Sequence, residues 1–324
     1  MQCPSCSSSK VRRAGQRDTR KGPVQKYSCA SCGKGFSNDP SPRTQYPLKI
    51  ILMGVELYNR GYPASMVKKE LGRRCHVSPP TRTVYSWIER YREVLPFLKL
   101  RKLYDIDPND IIFTKPFDHQ QVFPFRYHAL KLNISAKRFP GLKRYLTWVE
   151  RSLPDRIFLD GPRASRTKLE CHLVPERVFD RSTEMCRMAL LRSSNPGSAH
   201  DSVEHFFLAN DDRTVCTELP VFLNLWEAPY LNIRAPLTGH IDIVQMRQDG
   251  IWLLDYKPNL NHPEDHRSQM FLYREALHWR TSIPRELMSV AVFNEHGMFI
   301  LKDPVHLKEG TNDRKTNEIP VTAL

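Results

Sequence analysis

Three side chains in residues 237–259, LTGHIDIVQMRQDGIWLLDYKPN, stand out against their apolar surroundings: Asp242, Asp255 and Lys257. The runs HIDIV and IWLLDYK alternate with the period of a strand, and Asp249-Gly250 between them is a hairpin signal, so two antiparallel strands are expected. Side chains repeat every second residue on one face of a strand. Asp255 and Lys257 therefore share the end of the surface made by Ile251 and Leu253. A carboxylate and an ammonium so placed are either an ion pair of small worth or part of a site that handles charge. Carboxylates are the hard donors that hold Mg²⁺ or Mn²⁺, and a neighbouring lysine can orient water or stabilise negative charge. Hydrolysis of a phosphodiester needs both.

A second set is Cys3-Pro-Ser-Cys6 and Cys29-Ala-Ser-Cys32, two C-x-x-C pairs separated by 22 residues. Each tight turn presents two thiolates and the intervening loop brings the turns together, which suits a tetrahedral Zn²⁺. Four thiolates leave no open position, so this zinc is structural. Gly33 permits the second turn and Phe36 is placed to cover the site. Residues 1–37 resemble a zinc ribbon. The other four cysteines, Cys75, Cys171, Cys186 and Cys216, are scattered.

Around these residues the chain reads as several pieces. Residues 37–47, rich in Pro, Ser and Asp, form a linker. Three helices follow within 48–96. The first spans Leu48 to Asn59, and the second runs from Ala64 to Leu71 and stops at Gly72. The third has Ser78 as N-cap, Pro79 and Pro80 in its first turn, and Val84, Trp87, Ile88 and Tyr91 as its apolar stripe. That is the pattern of an all-α helix-turn-helix. Charge agrees: residues 1–96 carry 18 Lys and Arg against 6 Asp and Glu, whereas residues 97–324 carry 31 against 29. A basic excess confined to one region is the electrostatic footprint of a polyanion partner. Through Val77, Ser78, Thr83, Val84, Tyr85, Trp87 and Ile88, this stretch resembles the DNA-binding modules of insertion-element proteins and transposases. The resemblance implies DNA contacts from the early part of the third helix, with Thr81, Arg82, Tyr85 and Ser86 as its exposed candidates.

Residues 97–195 read as a mostly helical middle region with no assigned role and no phosphate-cradling G-x-x-x-x-G-K-[ST]. Beyond it, a helix across His200, Glu204 and Phe207 precedes a turn at Asn210-Asp211-Asp212 and a strand from Val215 to Leu223. After the opening hairpin comes a helix with Gln269, Tyr273 and Leu277 on one face, then a hairpin about His296-Gly297. A charged tail occupies 305–324.

This order, with an Asp ending one strand, Asp-x-Lys ending the next and Gln-x-x-x-Tyr on the following helix, resembles the RecB-like branch of the PD-(D/E)XK nucleases over residues 196–304. The resemblance implies an α/β restriction-endonuclease-like core. It implies Asp242 and Asp255 as ligands of a catalytic Mg²⁺ or Mn²⁺, Lys257 as the motif lysine, and Gln269 with Tyr273 as the trailing helix motif. Either His200 or His205 matches the histidine of the leading helix. His200 is preferred, since Gly197 precedes it and Glu204 falls one turn later. The carbonyl of Tyr256 is a further candidate ligand, Glu218 a candidate outer acid, and a bound cation should lower the pKa of Lys257. The second acid is Asp where Glu is commoner, and Pro258 follows the lysine directly. Related CRISPR-adaptation nucleases hold an iron-sulfur cluster on cysteines that lie mostly after the core. No cysteine follows Cys216, so no cluster is expected.

The expected fold is multidomain: a small zinc ribbon, an all-α helix-turn-helix and an α/β core. With 40% hydrophobic residues, no apolar run of membrane-spanning length and no signal-peptide pattern, the expected setting is the cytoplasm, away from membranes. The expected function is a metal-dependent DNA nuclease, an endonuclease of a mobile element or defence system. Its partners are DNA and a transposase, helicase or other mobile-element protein. The alternative is a non-catalytic DNA-binding regulator or transposition accessory with an inert nuclease fold. RNA is a third substrate class.

Overall fold

The computed structural model describes residues 3, 6, 8–19, 22–37, 45–118, 121–158, 161–193, 199–231 and 234–303. The tail at 305–324, most of the 37–47 linker and Gly197 lie outside them. The chain divides into two compact units with the boundary between Met53 and Gly54.

The first unit carries one antiparallel sheet of three strands in sequential order: β1 (Val11–Thr19), β2 (Gly22–Cys29) and β3 (Gly35–Ser37). Between Arg13 and Gln16 the β1–β2 register slips, and Gly15 takes φ +85° there. A residue with no Cβ adopts that backbone at a bulge without strain. Phe36 stacks on Tyr27 with ring centroids 5.8 Å apart.

Helix α1 (Leu48–Asn59) crosses the unit boundary, and α2 (Ala64–Cys75) and α3 (Thr81–Tyr91) follow. Helix α2 runs one turn past the expected stop. Gly72 lies inside it, and His76 at φ +55° caps the end, with its N–H on the Gly72 carbonyl and that of Val77 on Leu71. Ion pairs from Arg73 and Arg74 to Glu70 and these cap bonds offset the low helix propensity of glycine. Helix α3 begins later than expected. The N-cap is Pro80, not Ser78, with no side-chain bond, because two successive prolines hold the residues before them extended. Val84, Trp87 and Ile88 are buried as the stripe requires. A Cβ on Gly54 would sit 3.0 Å from the Trp87 ring, so glycine there makes room for the indole.

Next come α4 (Phe97–Arg101), β4 (Ile112–Asp118), β5 (Val122–His128), α5 (Ala129–Ser135), α6 (Pro140–Arg151), β6 (Val174–Val178), α7 (Arg181–Arg192) and α8 (Ala199–Asn210). The remaining elements are β7 (Thr214–Leu223), β8 (Leu237–Met246), β9 (Ile251–Tyr256), α9 (Arg267–Thr281), β10 (Met288–Phe293) and β11 (Met298–Lys302). The eight strands make one mixed sheet, ordered β4-β5-β7-β8-β9-β10-β11-β6, in which only β9 and β10 are parallel. Helix α9 is the crossover that a parallel pair needs. The protein is thus mixed α/β, with a small cysteine cluster near its N-terminus.

The middle segment, expected to be mostly helical, also supplies three strands to this sheet. β5 pairs with β7, and β6 pairs with β11 at the far edge. The β8–β9 hairpin forms as expected. Arg247 and Gly250 exchange backbone hydrogen bonds across its turn, and a Cβ on Gly250 would meet the Leu287 carbonyl at 2.2 Å. All of β7 and β9 is buried, so the sheet is covered on both faces here rather than half-exposed as alternation suggests. Leu219, Ile241, Leu253, Leu272, Leu277 and Val290 belong to the core. Each such side chain contributes roughly 1.5–3 kcal/mol on burial, which lets the same strands tolerate buried acids.

Helix α1 is tied to α8 through polar groups. Glu56 is buried and takes hydrogen bonds and charge from Arg192 at 2.8 Å, with His205 Nδ1 3.4 Å away. Burial pushes the Glu56 carboxyl up, but His205 and Arg192 hold it below its usual range. Beside it Asn59 Nδ2 donates to Asn210 Oδ1 at 2.8 Å, fully buried.

Candidate metal centres

In the first unit the four cysteine sulfurs converge. Cys3 and Cys32 lie 3.6 Å apart, as do Cys6 and Cys29, and all four ligand atoms fall within 4.8 Å of one another. None of the four is in a disulfide. The edge of a tetrahedron with arms of about 2.3 Å is about 3.8 Å, so the sulfurs are close enough to bind one zinc ion. The turn that presents Cys29 and Cys32 is closed by Gly33 N–H on the Cys29 carbonyl, with Gly33 at φ +71°. Cys29 donates its own N–H to Lys34, and Cys3 donates to Ser8. The backbone N–H of Cys32 helps hold the Cys29 thiol down to about 6, so one thiolate is present near neutrality. Phe36, expected over the cysteines, has its ring contact with Tyr27.

The second centre lies on β7, β8 and β9 beneath α8. Pairs Thr217–Ile243 and Leu219–Ile241 set Glu218 opposite Asp242, and the β8–β9 register, one step past Ile243–Leu254, sets Asp242 beside Asp255. The three acids make a row across three adjacent strands. Like charges so placed repel. Helix α8 adds Glu204 and His200, whose Nδ1 is 3.7 Å from Asp242 Oδ2. His200, Glu204 and Asp242 each bring one ligand atom within 4.8 Å of the others. His205, the other candidate, turns instead to Glu56.

Asp242 accepts the Tyr256 backbone N–H at 2.8 Å. Asp255 is engaged on both oxygens: Lys257 Nζ lies 2.6 Å from Oδ2, and Gln269 Nε2 donates to Oδ1 at 3.0 Å. Gln269 Nε2 also approaches the Tyr273 hydroxyl at 3.1 Å. The close fit of α9 on β8 depends on Gly239, since a Cβ there would be 2.4 Å from the Tyr273 ring. Geometry thus joins His200 and Asp242 with Glu204, while Asp255 anchors Lys257 and Gln269.

Electrostatics marks the cluster as short of positive charge. Burial, then Asp242, pushes Glu218 up to about 8, although contact with Glu204 opposes this. Burial and the Glu218 and Asp242 charges raise Glu204 well above its usual range, and burial with Asp242 lifts Asp255 to about 7 despite Lys257. Glu204 and Glu218 contact each other side chain to side chain, and Glu204 Oε1 and Glu218 Oε2 are buried with no other donor among the described residues. A proton shared between the two carboxyls, or a divalent cation in its place, satisfies both. The His200 side chain, 48% exposed, leaves the cluster open on one side.

Burial presses the Lys257 pKa down, but the Asp255 and Asp242 carboxylates outweigh burial and raise it; the lowering expected from a bound cation concerns the metal-loaded site. Glu218, expected only as a candidate outer acid, sits at the β7 end of the row at φ +48° inside a strand. A non-glycine residue in that region is strained by about 1–3 kcal/mol, and such strain gathers at functional sites. No sequence signal marks it.

On α3, Arg82, Tyr85 and Ser86 are exposed and Thr81 is half-buried, opposite the buried stripe. Comparison with family models, curated proteins and solved structures finds no match. Among the described residues no helix is long and apolar enough to cross a membrane.

Proposed function

We propose that the protein is a metal-dependent DNA nuclease of the PD-(D/E)XK kind, an endonuclease directed to DNA by its cysteine unit and helix-turn-helix. The observation that carries this reading is the meeting of His200, Glu204 and Asp242 beside the Asp255–Lys257 ion pair, where buried acids outnumber the cationic side chains. Oxygen donors with one imidazole suit Mg²⁺ or, better, Mn²⁺. His200, Glu204 and Asp242 would hold that ion, with Glu218 and Asp255 completing the acidic wall. The ion supplies a polarised phosphate and a nucleophilic water near neutral pH. Lys257, fixed by Asp255, stabilises the charge that grows on the phosphate. Gln269, supported by Tyr273, fixes Asp255 in turn and so positions the lysine. The exposed residues of α3 and the basic excess of residues 1–96 support a duplex DNA partner, with Arg82 at the groove and Thr81, Tyr85 and Ser86 flanking it.

The test is cleavage of supercoiled plasmid, linear duplex and single strands with Mn²⁺, Mg²⁺ or EDTA. Cutting is expected with either ion and none in EDTA. Asp255→Ala should abolish it, and Lys257→Ala should lower it by about 10²-fold or more without loss of DNA binding. Arg82→Ala should weaken duplex binding by roughly 1–3 kcal/mol if it pairs with a guanine. No cutting of any substrate with either ion would leave a non-catalytic DNA-binding protein as the better reading.

A further inference from the structure

Helix α6 presents an outer face unlike the rest of the second unit. A groove of about 440 Å³ runs along it, lined by Lys143, Arg144, Trp148 and Arg151 among others. A second groove of about 400 Å³ shares Arg144 and Trp148 and continues to Trp279 and Arg280 on α9. The two form one basic, aromatic trough. No acid lines either groove. Lys143, Arg144 and Arg151 are exposed, and none has an ion pair among the described residues; Lys143 donates only to Asn133. Arg280 is held by Glu227 and lies over the Phe222 ring, so its charge is already engaged.

Trp148 is 38% exposed and Trp279 46%. Trp148 is backed by Tyr145, which stacks on it at 5.9 Å, and by Phe222 at 6.3 Å. The Trp148 indole is thus braced by neighbouring rings, and Trp279 meets the His278 ring edge-on at 6.0 Å. The arginine-rich cavity by β8, by contrast, is internally neutralised: Arg181 pairs with Asp211 and Asp212, and Arg213 and Arg247 with Asp180.

We propose that the α6–α9 trough binds an unpaired stretch of DNA, with bases stacked on Trp148 and Trp279 and phosphates on Lys143, Arg144 and Arg151. Cations alone would serve a duplex, whose bases are stacked inside and show no face to an indole. Exposed aromatic faces between unpaired cations serve a single strand, because each unpaired base offers a π-face and each nucleotide a phosphate. The trough also has a direction. Trp279 lies ten residues beyond Gln269 on α9, about 15 Å along the axis, so the helix that braces the acidic centre ends at the trough. Binding here does not depend on cleavage, and it is distinct from the duplex contact assigned to α3.

The test uses the full chain with zinc bound and no Mg²⁺ or Mn²⁺, titrated against a fluorescein-labelled oligodeoxythymidine and against a duplex of equal length. Tryptophan fluorescence should be quenched by the single strand. The double variant Trp148→Ala/Trp279→Ala should weaken single-strand binding about ten-fold or more, with duplex binding changed less than two-fold. Arg144→Glu/Arg151→Glu, on exposed side chains with no packing role, should do the same and steepen the loss at low salt. Unaltered single-strand binding in the arginine variant would overturn the proposal, as would equal losses for single strand and duplex. Wild-type protein that ignores the oligonucleotide would overturn it too, and would turn attention to an acidic peptide. Because the readout is binding, an absence of nuclease activity does not affect it.

Discussion

The two candidate metal centres invert each other's logic. In the first unit a three-stranded sheet carries little core, and four thiols converge where the Cys3 and Cys29 turns meet. An ion bound there would help to make the fold. In the second unit, a covered eight-stranded sheet forces Glu218, Asp242 and Asp255 into one row against their mutual repulsion. There the fold by itself gathers the donors. An identical ligand type repeated at a fixed spacing signals the first case. The second depends on registers between strands far apart in the chain.

The largest expected effect tests the first half of this contrast. Metal analysis should find about one zinc per chain. Zinc removal or Cys29→Ser should unfold the first unit, since structural zinc contributes about 10–16 kcal/mol, while the melt of the second unit moves by less than about 1 kcal/mol. Limited proteolysis would then nick only the first 53 residues or so. A coincident loss of both units would break the comparison.

A smaller effect tests the other half. Glu204, Glu218 and Asp255 hold protons more tightly when folded than unfolded. From about pH 4.5, where unfolded carboxyls lose theirs, up to about 8, the folded chain binds the extra protons, so stability falls as pH rises. Protein carrying only its zinc should lose roughly 2–5 kcal/mol between pH 5 and pH 8. Added Mn²⁺ should restore it, more at pH 8 than at pH 5, because ion and protons compete. Glu218→Gln should flatten the profile. Denaturant melts across this range would reveal a flat or rising profile, which the acid row does not allow.

What could be read from the sequence follows the same division. Local signals carried well: the C-x-x-C pairs, the start and end of α1, the Asp249-Gly250 hairpin and the helix bearing His200. Strands β4, β5 and β6 went unread: β5 and β6 are held in the sheet by β7 and β11, many residues downstream, and β4 only through its local hairpin with β5. Glu204 drew notice only for its spacing from His200, and Glu218 only as a guess. Their place in the centre comes from a cross-strand register and a positive φ that periodicity does not encode. Helix α2 passed Gly72 because cap bonds and Glu70 ion pairs outweighed a weak local preference.

The smallest effect sharpens the boundary between the units. A Cβ on Gly72 would meet nothing within 4 Å, so Gly72→Ala should stabilise α2 by about 0.5–1 kcal/mol. That gain should appear in the melt of the second unit and leave zinc retention unchanged. A shift in zinc retention instead would mean that α2 melts with the cysteine unit.

Residues 204 and 205 are consecutive on α8 and look opposite ways, Glu204 toward the acid row and His205 toward Glu56 on α1. With Asn59 fastened to Asn210 as well, the end of α1 is bolted to the helix that lies over the acids. If α3 makes the DNA contact proposed for it, that bolt would act on the span to the acid row as a fixed jaw rather than a leash. Removing α8 would then strip Asn59 of its buried partner along with Glu204.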